Sequence, residues 1–159
     1  MQDELRLQKI ISGGQTGVDR AALDIAMEFG IPHGGWCPRG RLSEDGCIPL
    51  QYQLEETVSH KYNVRTKRNI HCSDGTLIIF RDELFGGTKL TQTFAERLGK
   101  PCFLIDANQK DIPIEDFWEW VCANQIETLN VAGPRTSSDP ELAESIHTLL
   151  REIFSQMPR

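Results

Sequence analysis

Long apolar runs are missing from this 159-residue sequence, and the longest uninterrupted ones are four residues, such as 77–80. A helix that crosses a membrane needs about 20 apolar residues, so we expect no membrane segment. The opening residues, MQDELRLQ, are polar and carry two acids. They lack the apolar core of a secretory signal, and we therefore expect a cytoplasmic protein.

Paired cysteine motifs are also missing. The five cysteines are odd in number and widely spaced, and no C-x-x-C occurs, so we expect reduced thiols rather than a disulfide framework. Neither His33 with Cys37 nor His71 with Cys72 has the spacing and further ligands of a zinc site, so we expect no structural metal. Cys37 and Cys47 lie in a polar segment, and a nucleophilic role for them stays open.

Positive charge is scarce. The net charge is −6 and the isoelectric point is about 5.2. Binding to duplex nucleic acid depends mostly on neutralising phosphates with Lys and Arg, so we do not expect such a partner. A small anion in a local basic pocket remains compatible with this charge. One stretch, residues 59–73, contains no acid but holds Lys61, Arg65, Lys67 and Arg68.

Short apolar strands, glycine turns and helices alternate along the chain. A helix is predicted after each of the turns at Gly13, Gly86 and Gly133, and a further one opens at Pro113. Asp139 and Pro140 are typical of an N-cap followed by the first helical residue. The pattern predicts a single three-layer α/β domain over residues 1–159 with a mostly parallel sheet. The predicted strands are 7–12, 76–80, 102–105 and 129–132.

The first glycine turn is the strongest local signal for a binding site. Its glycines allow close approach of a ligand to the backbone, and the helix that follows presents free N–H groups to an anion. The turn is neither a Walker A loop nor a G-x-G-x-x-G motif, so a plain strand–helix connection stays open. Asp19, in the first helical turn, either complements the helix dipole, accepts ribose hydroxyls or acts as a general base. Arg20 is either a surface charge or a phosphate ligand.

Two later turns repeat this arrangement. Gly86-Gly87-Thr88 follows one predicted strand, and Gly133-Pro134-Arg135 follows another and adds a guanidinium. The carboxyl ends of parallel strands meet at one edge of a sheet, where α/β folds bind ligands. We therefore predict a phosphate-bearing ligand across the three turns. The predicted binding residues are Gly13, Gly14, Gln15, Thr16, Gly17, Arg20, Gly87, Thr88, Gly133 and Arg135.

Residues 34–74 differ from the rest because their periodicity is weak. The segment is too long for a plain connection, and such stretches are often functional. A mobile lid and a fixed wall are both open interpretations. Trp36 is a candidate wall for a planar ring, with simple packing as the alternative.

Several motifs together resemble one family, the circularly permuted YpsA-type SLOG family, whose members are labelled molybdenum carriers. The most specific are the stretch 13–22, GGQTGVDRAA, and the stretch 130–135, NVAGPR. Between them lie Glu44-Asp45-Gly46-x-Ile48-Pro49, Arg65-Thr66-x-x-Asn69, Ser73-Asp74-Gly75-Thr76 and Gly86-Gly87-Thr88. The motifs span about residues 10–150.

The resemblance implies a Rossmann-like fold, a nucleotide or pterin ligand such as the molybdenum cofactor, and a homo-oligomer. It favours a carrier without chemistry. It also implies kinship with LOG-type phosphoribohydrolases, whose P-G-G-x-G-T-x-x-E motif is matched in part by 13–19, with Asp19 as the acid, and by Gly87-Thr88-x-x-Thr91. The alternatives are therefore a nucleotide N-glycosidase with Asp19 as its carboxylate, and a nucleotide-sensing module.

Overall fold

A five-stranded parallel sheet lies between two layers of helices in the computed structural model, which describes residues 4–159. The strand order is β2-β1-β9-β7-β8, and every pairing in this sheet is parallel. The elements in chain order are β1 (Lys9–Ile11), α1 (Val18–Glu28), β2 (His33–Gly34), β3 (Trp36–Cys37), β4 (Leu42–Ser43), β5 (Gly46–Cys47), β6 (Glu55–Glu56), α2 (Tyr62–His71), β7 (Gly75–Phe80), α3 (Gly86–Arg97), β8 (Cys102–Asp106), α4 (Ile114–Ala123), β9 (Thr128–Ala132) and α5 (Pro140–Ser155).

The strand order is a permuted form of a common one. If β9 and α5 preceded β1, the same sheet would read 3-2-1-4-5, the order found in Rossmann folds. Right-handed crossovers then place α1 and α4 on one face and α2 and α3 on the other, because the two pairs cross the sheet in opposite directions. The direction changes between β9 and β7, and this is the place where such folds bind ligands.

The buried residues confirm the three layers. The larger core packs α1, α4 and α5 on one face of the sheet, with Ile25, Phe117 and Ile153 among its members. On the opposite face, Ile70 of α2 packs with Phe94 and Ala95 of α3. The ring of Trp118 stands perpendicular to that of Phe154, and its Nε1 donates to the carbonyl of Ile153 at 2.9 Å.

Local signals in the sequence account for several element boundaries. The side chain of Asp139 accepts a hydrogen bond from the amide of Leu142 at 3.2 Å, and Pro140 opens α5, as predicted. Gly30 and Gly99 follow α1 and α3 with φ of 69° and 66°, the left-handed conformation that ends many helices. The continuous apolar run of β7 is buried through Ile79, as expected for a central parallel strand.

Residues 34–74 form a packed wall in this structure. Cys37, Ile48 and Tyr52 pack against Leu23 of α1 in a small core of their own. The guanidinium of Arg41 donates to four backbone carbonyls, those of Ile48, Pro49, Tyr52 and Leu54, at 2.8–3.5 Å. The segment also contains α2, a helix that the sequence did not predict. Its three buried residues are Thr66, Asn69 and Ile70, so the apolar periodicity that reveals a helix is absent.

Candidate functional site

A cleft of about 520 Å³ opens at the carboxyl ends of β7 and β9. Its walls are the two loops that follow these strands, the start of α3 and one side of α2. This is the point at which the direction of the crossovers changes. The residues that line it are Gln15, Asp19, Tyr62, Asn63, Arg65, Thr66, Phe85, Gly86, Gly87, Thr88, Leu90, Thr91, Ala132, Gly133, Pro134, Arg135 and Ser138.

The N-terminus of α3 faces this cleft. A helical N–H needs a carbonyl four residues earlier, so the first amides of α3 have no partner within the helix. No side chain caps them, and the first turn carries no acid. A Cβ added at Gly86 or Gly87 would meet no atom within 4 Å, so the space in front of this turn is open. Thr88 and Thr91 are buried on the same side of α3, and Thr91 donates to the carbonyl of Gly87 at 2.9 Å.

Arg65 of α2 supplies a cation to the cleft. Its side chain is 14% exposed, and its Nη2 lies 3.7 Å from Oδ2 of Asp19. Nη1 donates to the hydroxyl of Thr66 at 2.6 Å. Nε is buried and has no hydrogen-bond partner among residues 4–159. The guanidinium therefore retains hydrogen-bonding capacity that the chain itself does not use.

Asp19 is buried beneath the cleft at the start of α1, with 4% of its surface exposed. Burial raises the pKa of its carboxyl above the usual value, and the opposing effects of Arg65, the amides of Gln15 and Gly13, and Arg20 offset this only in part. The carboxyl borders a small polar recess together with Arg65, Thr91 and other side chains. A raised pKa favours the protonated carboxyl, which is the form that can donate a proton to a ligand.

The first glycine turn is covered rather than open. A Cβ on Gly14 would lie 2.5 Å from the side chain of Leu54, and one on Gly17 would lie 2.4 Å from the carbonyl oxygen of Pro134. Gly13 packs against the guanidinium of Arg65, with 2.7 Å from its added Cβ to Nε. Of the five residues of this turn, Gln15 lines the cleft and Gly13 borders the recess below it. The glycines are required here because other parts of the chain approach so closely.

Three predicted phosphate ligands are engaged by acids of the chain itself. These acids are Glu44 and Asp45, at the tip of the hairpin formed by β4 and β5. Arg20 pairs with Asp45 through two hydrogen bonds of 2.7 and 3.2 Å. The hydroxyl of Thr16 donates to Glu44, and Nε of Arg135 lies 3.7 Å from the same carboxylate.

The third turn reaches the cleft directly. Gly133 and Arg135 both line it. A Cβ on Gly133 would lie 2.4 Å from the carbonyl oxygen of Ile79, which explains the requirement for glycine. The side chain of Arg135 is 46% exposed, so it is accessible from solvent as well as from the cleft.

The mouth of the cleft is apolar. Tyr62, Phe85 and Leu90 line it and are 37%, 52% and 36% exposed, which is unusual for such side chains. Trp36, the predicted ring wall, is not among the lining residues. The guanidinium of Arg68 covers its ring at 4.6 Å from the centroid, and Asn69 bonds its backbone N–H and carbonyl. The aromatic surface at the cleft therefore comes from Tyr62 and Phe85.

Sequence analysis did not place α2 at the site. Two signals indicated it: the acid-free basic stretch 59–73, and the motif Arg65-Thr66-x-x-Asn69. Neither shows which of the four basic residues faces the ligand site, because that depends on the rotation of α2 about its axis. The cleft residues missing from the predicted set are Tyr62, Asn63, Arg65, Thr66, Phe85, Gly86, Leu90, Thr91, Ala132, Pro134 and Ser138.

The cysteines lie away from this cleft. Cys37 is fully buried in the small core of the wall, where burial raises the pKa of its thiol. Cys47 is exposed on β5. Among residues 4–159 no group of three or more His, Cys, Asp and Glu side chains could hold a metal ion. No helix within the same range is long and apolar enough to span a membrane.

Comparison with known proteins gives a consistent result. Residues 10–154 match the Circularly permutated YpsA SLOG family. The chain is also similar to a solved structure at 1.45 Å, named "Putative molybdenum carrier protein", from Syntrophus aciditrophicus SB. The two share 49% identity with a TM-score of 0.86, over 94% of this chain and 95% of the other. No curated protein matches the sequence.

Proposed function

Because the chain belongs to the circularly permuted YpsA SLOG family, we propose that it is a carrier-like protein that binds a small phosphate-bearing ligand in the cleft between β7 and β9. The ligand is of nucleotide or pterin type. The observation that carries this proposal is that the uncapped N-terminus of α3 and the guanidinium of Arg65 face the same cleft.

The phosphate lies at the start of α3 in this proposal. The free amides of Gly86, Gly87 and Thr88 carry the positive end of the helix dipole, which favours an anion. Arg65 adds a full positive charge to the lining of the cleft. A guanidinium beside backbone amides is a strong donor set for phosphate. Of the turns predicted to hold the phosphate, the proposal therefore keeps the second, which is open, and leaves out the first, which is covered.

The remainder of the ligand extends toward the mouth of the cleft. Tyr62 and Phe85 provide exposed aromatic faces there, and a planar base or pterin gains by covering them. The cleft volume of about 520 Å³ is within the range of sites for ligands of this size.

The molybdenum cofactor fits this donor set as a cargo. Its pterin carries a phosphate on a side chain, and the similar solved structure is named a putative molybdenum carrier protein. The amides of α3 and Arg65 would hold the phosphate, while Tyr62 and Phe85 would cover the pterin ring. The protein in this role binds, shields and releases the ligand without changing it.

Asp19 favours one alternative, a nucleotide N-glycosidase. Its carboxyl has a raised pKa and lies 3.7 Å from Arg65. In this alternative Asp19 donates its proton to the departing base, the C1′–N bond breaks, and water adds to C1′ of the sugar phosphate. The proton that water loses returns to the carboxylate. The products are a free base and ribose 5-phosphate.

A thermal-shift titration tests the proposal. The ligands are inorganic phosphate, ribose 5-phosphate, nucleoside monophosphates, free pterin and the molybdenum cofactor. A ligand that binds the folded state raises the free energy of unfolding by about 2.7 kcal/mol at 100 times its Kd. We expect Arg65→Ala to abolish the shift, while Arg68→Ala, on the same helix but over Trp36, retains it. Absence of a shift with every ligand, or equal shifts in both variants, would overturn the proposal.

Turnover separates the carrier from the enzyme. Incubation of the protein with each nucleoside monophosphate that binds, followed by chromatography of the bases, detects the glycosidase. A carrier releases its ligand intact. If the parent forms free base and Asp19→Asn does not, while both bind the nucleotide, the protein is a nucleotide N-glycosidase and not a carrier.

A further inference from the structure

A second set of anion-binding groups lies beside the cleft, and a side chain of the protein fills it. The carboxylate of Glu44, at the tip of the hairpin formed by β4 and β5, accepts hydrogen bonds from the hydroxyls of Thr16 and Ser137. It also accepts one from the amide of Ser137 at 3.1 Å, and Nε of Arg135 lies 3.7 Å away. Glu44 therefore ties together the loops that follow β1 and β9.

The lowered pKa of Glu44 agrees with this set of contacts. Burial acts to raise the pKa of its carboxyl, yet the hydrogen bonds from Ser137 and Thr16 and the charge of Arg135 outweigh burial, so the pKa is lowered. The carboxylate is thus held as an anion. The same donors, two hydroxyls, one amide and one guanidinium, are those that proteins use for tetrahedral oxyanions.

We propose that Thr16, Arg135 and Ser137 form a second oxyanion-binding site, which Glu44 occupies with its own carboxylate and yields to a phosphate-like oxyanion. The site goes beyond the proposed function, because none of its donors belongs to α3 or α2. It assigns to Glu44 the role of an internal competitor for that oxyanion.

The geometry allows the exchange. Glu44 lies in the turn of a short hairpin, and rotation of its side chain alone withdraws the carboxylate from the donors. Its backbone amide is held separately by Oε1 of Gln15 at 2.9 Å, so the hairpin need not move. Arg135 is half-exposed and lines the cleft, which gives an oxyanion a path from solvent to the donors.

Removal of the competitor is the test. The variants are Glu44→Ala and the isosteric Glu44→Gln, with Glu144→Ala as a control that removes one exposed acid of α5. Each protein is titrated calorimetrically with inorganic phosphate, sulfate and molybdate at constant ionic strength. We expect Glu44→Ala to bind at least one of them about tenfold tighter than the parent, the equivalent of one charge-assisted hydrogen bond. The anion with the largest gain identifies the class of ligand.

Two further variants make the outcome specific. Glu44→Ala combined with Ser137→Ala loses the hydroxyl donor of Ser137 and keeps the amide of that residue, so its gain in affinity is expected to shrink. Glu44→Ala combined with Arg65→Ala keeps the gain, because Arg65 belongs to the other site. If Glu44→Ala and Glu44→Gln bind all three anions no more tightly than Glu144→Ala, the second site does not exist. That result would leave the proposed cleft function untouched, since Arg65 tests it independently.

Discussion

The guanidinium of Arg65 packs on Gly13 and reaches Asp19, with 3.7 Å between Nη2 and Oδ2. This contact joins α2, which lies on one face of the sheet, to the first glycine turn and to α1. A Cβ at position 13 would lie 2.7 Å from the guanidinium, so glycine is required for the contact. The first glycine turn therefore positions an arginine of α2.

Substitution of Gly87 by Ala separates binding from folding. An added Cβ meets no protein atom within 4 Å, and Ala in a helix is favoured over Gly by about 0.5–1 kcal/mol, so the free energy of unfolding should rise slightly. The same methyl group projects into the space in front of the α3 amides. We expect ligand affinity to fall by about tenfold or more through loss of one hydrogen bond to a charged group. Urea unfolding and a ligand titration on the same sample check both effects, and unchanged affinity would exclude a phosphate at this turn.

A glycine-to-alanine change in the first turn is expected to lower the free energy of unfolding instead of raising it. Gly17 has φ of 82° and ψ of −130°, and an added Cβ would lie 2.4 Å from the carbonyl oxygen of Pro134. Backbone strain and overpacking together predict that Gly17→Ala lowers the free energy of unfolding by about 2–5 kcal/mol. Urea unfolding measures this directly. A neutral effect would mean that the loops after β1 and β9 are less closely packed than described.

The buried carboxyl of Asp19 is expected to make the stability of the protein depend on pH. Its pKa is raised in the folded state by burial, so the folded protein retains this proton to a higher pH than the unfolded chain does. The carboxyl therefore destabilises the protein increasingly as pH rises above the unfolded value of 3.8. Asp19→Asn should therefore gain stability relative to the parent as pH rises above 3.8. A parallel pair of pH curves for the parent and Asp19→Asn would contradict the raised pKa.

The phenol of Tyr52 is expected to make the protein less stable at alkaline pH. Burial and the hydrogen bond to Oδ1 of Asp24, at 2.6 Å, raise the pKa of its phenol from 10.0 to about 12. The unfolded chain ionises first, so stability that is present below pH 10 is lost as pH approaches 12. Tyr52→Phe removes this dependence, while at neutral pH it loses about 1.5–3 kcal/mol with the bond to a charged partner. Thermal unfolding between pH 9 and 12 compares the two proteins.

The guanidinium of Arg41 is expected to stabilise the wall formed by residues 34–74. Its planar guanidinium serves four carbonyls between residues 48 and 54, and a lysine ammonium cannot reach the same set. Arg41→Lys should lower the free energy of unfolding by about 1–3 kcal/mol, because buried carbonyls lose their donors. Arg39→Lys, at an exposed neighbouring position, serves as the matched control. Equal stability of the two variants would show that the wall does not depend on the planar fork.

Four of the five strands of the sheet and four of the five helices could be predicted because their signals are local, whereas the two-residue edge strand β2 was not predicted. The apolar run of β7, the cap at Asp139 and the terminal glycines of α1 and α3 each depend on a few neighbouring residues. Helix α2 could not be predicted in this way, because two of its three buried residues, Thr66 and Asn69, are polar. Asn69 is tolerated there since it bonds both the N–H and the carbonyl of Trp36.

The sequence by itself determined the α/β architecture, the family and the end of the sheet at which the cleft opens. Strands and glycine turns can be recognised from neighbouring residues, and the carboxyl ends of parallel strands share one edge of the sheet. Only the tertiary structure decided which donors are free. Thr16, Arg20 and Arg135 have the chemistry of phosphate ligands. The acids Glu44 and Asp45 contact all three from the hairpin of β4 and β5, which lies about 25 residues after the first two and about 90 residues before Arg135. Arg65, which lies 3.7 Å from Asp19, and the uncapped start of α3 instead border the open cleft.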